Sequence, residues 1–179
     1  MTIRSVLKIG NPQLLRIAEP VKTVDLDLKQ TVIQDMLDTM QAEKGAGIAA
    51  PQIGVNLRII IFGLEKNPRY PDAEPVPMTI LINPEFTPLS IDTDTAWEGC
   101  LSVPGYRGLV PRYKHIRYSG LDENGKKLER DVRDFHARVV QHEVDHLNGL
   151  LYPHRIRDLS KFGLMDELES AGLIPRVES

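Results

Sequence analysis

Residues 135–147 read Phe-His-Ala-Arg-Val-Val-Gln-His-Glu-Val-Asp-His-Leu, and His142-Glu143-Val144-Asp145-His146 within them is a HExxH run. On a helix, residues four apart share a face about one turn apart, so His142 and His146 can aim imidazole nitrogens at one point. Glu143 comes next in the chain and lies beside that point without being needed as a ligand. Two neutral imidazoles hold a divalent metal, and a neighbouring carboxylate takes a proton from the water that the metal activates. The stretch therefore predicts a helix from about Phe135 to Leu147, closed by Asn148-Gly149, that carries a metallohydrolase site.

Such sites have three protein ligands and one open position, so a third ligand must come from elsewhere. The sole cysteine, Cys100, lies in Trp97-Glu98-Gly99-Cys100-Leu101-Ser102. A lone cysteine out of context reads as a small buried hydrophobe. The HExxH run changes that balance. Downstream of it stand only His154 and the acids Asp158, Asp166, Glu167, Glu169 and Glu178, which read as ordinary surface charge. Gly99 would let the backbone approach a metal, and a thiolate suits a borderline-soft cation. Cys100 is the better candidate.

Gly45-Ala46-Gly47-Ile48-Ala49-Ala50-Pro51-Gln52 follows a predicted helix from about Leu28 to Glu43, where Leu28, Val32, Met36 and Met40 recur every four positions. Gly45 reads as its stop. The loop is either a plain connection or a small-residue platform that lets substrate backbone approach and gives Gln52 something to donate to.

Taken in order, GAGIAAPQ (45–52), EGCLS (98–102) and QHEVDH (141–146) resemble the three motifs of the peptide deformylases. The likeness runs from about Leu7-Lys8-Ile9-Gly10-Asn11-Pro12 to Gly149-Leu150-Leu151-Tyr152. The resemblance implies that Cys100, His142 and His146 are metal ligands and that Glu143 is the general acid and base. It implies that the Gln52 side chain and the Leu101 backbone N–H hydrogen-bond the formyl oxygen, and that Gly47 pairs with substrate backbone. Glu98 and Arg107 fall where family members shape or line the cleft, and Phe135 and Val139 where they wall a methionine pocket. Asp145 reads by itself as a solvated carboxylate, whereas the resemblance suggests an ion pair with Arg112. The expected cofactor is one divalent ion, Fe²⁺ foremost in the cell, with Zn²⁺, Ni²⁺ or Co²⁺ also compatible with one cysteine and two histidines. The expected partners are N-formyl-methionyl nascent peptides, with transient ribosome contact. Some family members make that contact through a basic C-terminal helix, but here Arg157, Lys161 and Arg176 are mixed with five acids.

With 179 residues the chain can bury one substantial core, and a single domain over 1–179 is expected, less surely matched over 159–179. A formal charge of −3 gives no reason to expect nucleic acid or an anionic membrane as partner. No apolar run reaches the length of a membrane span, and the first residues lack a signal peptide's apolar block. One cysteine precludes an internal disulfide and fits a reducing compartment. A bacterial cytoplasm is expected, or an organelle if a transit peptide has been removed. Leu159, Phe162, Leu164, Leu168 and Leu173 would pack on the body or on a second copy in a homodimer.

The expected fold class is α+β, with antiparallel sheets packed around a central helix that carries the HExxH run. Strands are predicted at Leu57–Leu64, Thr79–Asn83, Thr95–Leu101 and Tyr113–Ser119. A hairpin turn at Asp122–Gly125 leads into Lys127–Val132, with Asn-Gly supplying positive φ. Glu65–Pro77 reads as a mobile, solvent-facing loop, Leu159–Glu169 as a short amphipathic helix and 171–179 as an irregular tail. His115, His136 and His154 lack ligand spacing and take surface or structural duty, and Trp97 is a core residue first. Two rivals remain: a HExxH protease, which would recruit a downstream third ligand, and a structural metal protein, which would need a fourth.

Overall fold

A computed structural model describes residues 2–65 and 74–176. Ile59 to Leu64 (Ile-Ile-Ile-Phe-Gly-Leu) organises it: all six residues are buried, which a strand achieves only when both its faces are covered. Side chains alternate across a strand, and the two sets enter different clusters. Ile60, Phe62 and Leu64 pack with Val140, Val144 and Leu147, while Ile59 and Ile61 pack with Ile33, Met36 and Met40.

This strand is β2 of a wholly antiparallel sheet of five, ordered β1 (Gly47–Ala49), β2 (Ile59–Leu64), β3 (Val76–Pro88), β6 (His115–Leu121), β7 (Lys127–Arg133). A second antiparallel sheet holds β4 (Thr93–Cys100), β5 (Val103–Tyr113) and β8 (Phe162–Leu164). The helices are α1 (Leu26–Leu28), α2 (Gln34–Ala42), α3 (Asp134–Leu147) and α4 (Met165–Ser170). On α3, Ala137, Val140, Val144 and Leu147 recur at three and four residues, the spacing of a single apolar stripe. Its end is fixed by Gly149 at φ +72° and by the Leu150 N–H donating to the Asp145 carbonyl at 2.9 Å.

Several expectations change in detail. The helix expected over 28–43 is interrupted: α1 and α2 are joined by a π-helical turn, Lys29–Ile33. A strict four-residue repeat outruns 3.6 residues per turn, and the wider π turn absorbs the excess. The helix stop is Lys44, at φ +52°, with the Gly45 N–H donating back to the Met40 carbonyl at 2.9 Å. β3 is far longer than 79–83, and Tyr113 ends β5 instead of opening β6.

β5 was not anticipated, because Pro104, Gly105, Gly108 and Pro111 argue against a strand. The structure accommodates Pro111 because β8 pairs only with Tyr106–Gly108 of β5, so among the described residues Pro111 is paired on one side alone, with Thr95. The 122–126 hairpin forms with a single positive φ, at Gly125 (+73°), and Asn124 contributes none. The Asp122 carboxylate accepts from the N–H groups of Asn124 and Lys126 instead. Leu159–Glu169 is not one helix: a 3-10 turn at Leu159–Lys161 leads into β8 and then α4. Gly163 weakens a helix there, and pairing with β5 supplies an alternative. Of the loop expected at Glu65–Pro77, residues 66–73 lie outside the described residues, as do 177–179 of the tail, while Val76 and Pro77 already belong to β3. Among the described residues no helix is long and apolar enough to cross a membrane.

Candidate active site

The two histidines of α3 face Cys100, the last residue of β4. One ligand atom from each of Cys100, His142 and His146 lies within 4.8 Å of the other two. Cys100 Sγ is 3.3 Å from His146 Nε2. The histidine rings stand 5.1 Å apart, close to perpendicular. Burial disfavours the Cys100 thiolate, but His146 and His142 overcome it and hold the thiol well below its ordinary pKa. His142 Nδ1 bonds Glu98 Oε2 at 2.9 Å, which leaves its Nε2 for the common point.

Glu98 is buried among cations. Arg112 meets it in a fork (Nε–Oε1 2.9 Å, Nη2–Oε2 3.0 Å), and Arg138 Nη1 donates to Oε1 at 2.8 Å. Burial alone would raise this carboxyl's pKa, but the charge of Arg112 dominates and holds it far below the usual range. Arg112 also pairs with Asp145, whose carboxylate takes Arg155 as well, Nη2–Oδ1 at 2.7 Å. Asp145 is therefore buried and paired, not solvated. The chain Arg155–Asp145–Arg112–Glu98–His142 ties α3 to β4, β5 and the segment after α3.

Glu143 is placed differently. It is buried, and its Oε2 has no hydrogen-bond partner among the described residues; His146 Nδ1 is in the same position. Burial pushes the Glu143 carboxyl up to about 7, against the opposing pull of His142 and His146. A Cβ built on Gly47 would sit 2.4 Å from Glu143 Oε1, so only glycine lets β1 come this close. Gln52 is fixed from the other side: its Oε1 accepts from the Ala49 N–H at 2.8 Å. That turns its Nε2 toward Ser102 Oγ (3.1 Å) and Cys100 Sγ (3.5 Å).

One cavity is lined by Gly47, Gln52, Glu98, Cys100, His142 and Glu143 on its polar side. Ala46, Trp97, Leu101, Phe135 and Val139 form its apolar wall. Arg107 is not on this lining: its guanidinium lies over Gly99 and donates to the Tyr106 carbonyl at 3.0 Å. The space that Gly99 opens is thus taken by Arg107, where the sequence suggested room for a metal. Arg138 was missed from the sequence. It sits four residues before His142, on the ligand face, and a search for charge at that helical spacing would have found it.

The other histidines lie elsewhere in the fold. His136 packs on Phe62 and Tyr118, and burial with the nearby Arg130 lowers its pKa to about 4. His154 Nδ1 bonds the Leu151 backbone, and His115 is half-buried at the start of β6.

A family model described as polypeptide deformylase matches residues 3–162. The chain belongs to that family. It is 59% identical over 166 residues to peptide deformylase 1 of Bordetella pertussis, covering 93% of this chain and 94% of the relative. It is 58% identical over 166 residues to peptide deformylase 1 of Nitrosomonas europaea, with the same coverage. Among solved structures, the Met-Ala-Ser-bound class I type b peptide deformylase of Acinetobacter baumannii superposes with a TM-score of 0.83 at 40% identity, over 87% of this chain and 99% of that one. Peptide deformylase from Thermotoga maritima matches with a TM-score of 0.77 at 34% identity, over 88% and 100%. A peptide deformylase is a metal-dependent hydrolase, and the Cys100–His142–His146 group is the place in this deformylase where a metal could be held.

Proposed function

We propose that this deformylase removes the formyl group from N-formyl-methionyl peptides, with one divalent ion held by Cys100, His142 and His146. The observation that carries the reading is the buried Glu143 Oε2, without a hydrogen-bond partner among the described residues, beside three convergent soft and borderline donors in a half-apolar cleft. A buried carboxylate oxygen left without a partner costs about 1–3 kcal/mol or more, which the fold tolerates where a bound ion and water complete the site. The donor set accepts Fe²⁺, Zn²⁺, Ni²⁺ or Co²⁺, and Fe²⁺ is the proposed working ion. When bound, such an ion lowers the pKa of water toward neutrality and polarises a carbonyl.

The chain's own groups do the rest. Glu143, with a carboxyl near neutrality, takes a proton from the attacking water at Oε2 and returns it to the leaving amine, yielding formate and a free amino terminus. The Gln52 amide and the Leu101 N–H donate to the formyl oxygen as negative charge gathers there. Among the described residues no strand pairs with the second side of β1, so Gly47 can pair with substrate backbone as an added strand. Phe135, Val139 and Trp97 offer a thioether side chain an apolar wall, and Glu98 orients His142. Nascent chains that begin with formyl-methionine are the proposed substrates, in the cytoplasm of a bacterium.

The test is formate release from a formyl-methionyl tripeptide, with protein purified without oxygen and its metal counted. Wild type should turn over, and Glu143→Ala should keep its metal while losing on the order of 10²–10⁴ in rate. No release from folded, iron-loaded wild type would sink the assignment.

A further inference from the structure

The two proposed donors to the formyl oxygen come from separate sheets. Gln52 follows β1, and Leu101 follows β4, and no strand pairing joins those sheets among the described residues. A segment near the N-terminus bridges them. The Leu7 N–H donates to the Gln52 carbonyl at 2.8 Å, and the Ile9 N–H to the Ser102 carbonyl at 2.7 Å. Between them, Lys8 Nζ donates to the Leu101 carbonyl at 2.8 Å. The strap is anchored beyond this contact as well. The Asn11 N–H closes a turn onto the Lys8 carbonyl at 3.0 Å, and Leu14 is buried in one cluster with Cys100 and Val103.

The group that Lys8 grips is a consequential one. Leu101 and Ser102 are the two-residue turn between β4 and β5, where Cys100 pairs with Val103. The peptide between Leu101 and Ser102 is the central peptide of that turn, the one that flips when a turn changes type. Here its carbonyl is held by the ammonium, and its N–H, on Ser102, donates to Cys100 Sγ at 3.4 Å. A flip would take the N–H off the sulfur and turn a carbonyl oxygen toward a group that carries negative charge as a thiolate.

We propose that Lys8 is a positioning residue for deformylation, clamping the Leu101–Ser102 peptide so that Ser102 N–H stays on the Cys100 sulfur. The inference rests on the function proposed above. Lys8 touches neither substrate nor metal and acts only through the turn. Its side chain is exposed, so water weakens the hydrogen bond and the effect is moderate.

The experiment compares wild type, Lys8→Met and Lys8→Arg by kcat and KM on a formyl-methionyl tripeptide. The thiolate-to-metal absorption band of each Co²⁺-loaded protein gives a reading that does not depend on turnover. Lys8→Met should lower kcat roughly five- to tenfold, with KM within about twofold, because the lost bond is a charge-assisted one partly in water. Its thiolate band should shift, and Lys8→Arg should restore both. A Lys8→Met protein with wild-type kcat and an unshifted band overturns the inference and leaves the reaction standing. So does a Lys8→Arg protein as impaired as Lys8→Met. Wild type that releases no formate overturns the function and the inference together.

Discussion

Gln52 shows how one side chain is made ready for its task. Its amide oxygen is occupied by the Ala49 N–H, so the amide cannot rotate and its NH₂ must face Cys100 and Ser102. A donor locked before substrate arrives is worth most where charge develops late in the reaction, so its loss should appear in kcat. Gln52→Leu is expected to lower kcat on the order of 10²–10³ while moving KM little. Steady-state kinetics on the formyl tripeptide checks this, and a change confined to KM would make Gln52 a binding residue. The same substitution strips Ala49 N–H and Ser102 Oγ of a partner, so circular dichroism must show that the variant is folded. At this scale the sequence was legible where chemistry dictates spacing. His142, Glu143 and His146 were readable from a four-residue repeat, and Cys100 from its being the sole thiol. Arg107 was less so, because nothing in Gly99 or Arg107 alone says that one fills the space the other leaves.

Between elements, the contact that matters is a buried one among α3, β4 and β5. Glu98 on β4 receives Arg112 from β5 and Arg138 and His142 from α3, and none of the first three is more than 8% exposed. Glu98 therefore helps compensate two buried guanidinium groups, with Asp145 also on Arg112 and Asp94 also on Arg138, and it orients a proposed ligand. Glu98→Gln keeps the shape and removes the charge, which leaves both cations under-compensated. Breaking a buried pair from one side costs about 3–5 kcal/mol, and urea unfolding of the metal-free proteins should show a loss of that order. An unchanged midpoint would mean that Asp94 and Asp145, with water, already suffice to compensate the two cations. Sequence reasoning anticipated one link here, Arg112 with Asp145, and only through family likeness. It did not reach Arg138 or Arg155, because a buried ion network joins residues distant in the chain and leaves no local period. β5 escaped for a related reason: its prolines and glycines violate strand propensity, and the register that excuses them is a property of the sheet.

For the whole molecule, one half-buried histidine makes a prediction about stability that is independent of the metal site. His136, on α3, packs on Phe62 of β2 and Tyr118 of β6 in the five-stranded sheet, with Tyr118 Oη 3.5 Å from its Nε2 and Arg130 nearby on β7. Burial, then the charge of Arg130, lowers its pKa from 6.5 to about 4 in the folded protein. About a pH unit or more above 6.5 the ring is neutral in both folded and unfolded chains and contributes no pH dependence. As pH falls from 6.5 toward 4, the unfolded chain takes up a proton that the folded chain refuses, so stability is lost across that window. The slope cannot exceed about 1.4 kcal/mol per pH unit for one proton, and water reaching the partly exposed ring keeps it below that. Other groups titrate in the same range, so the measurement must be a difference. Wild type and His136→Leu, both metal-free, would be unfolded in urea at a series of pH values. Their stability gap should be flat above about pH 7 and should move steadily in favour of the leucine variant as pH drops toward 4. A gap that stays constant down to pH 4 would mean that the folded protein protonates His136 as readily as the unfolded chain does, with Tyr118 or an entering water accommodating the charge.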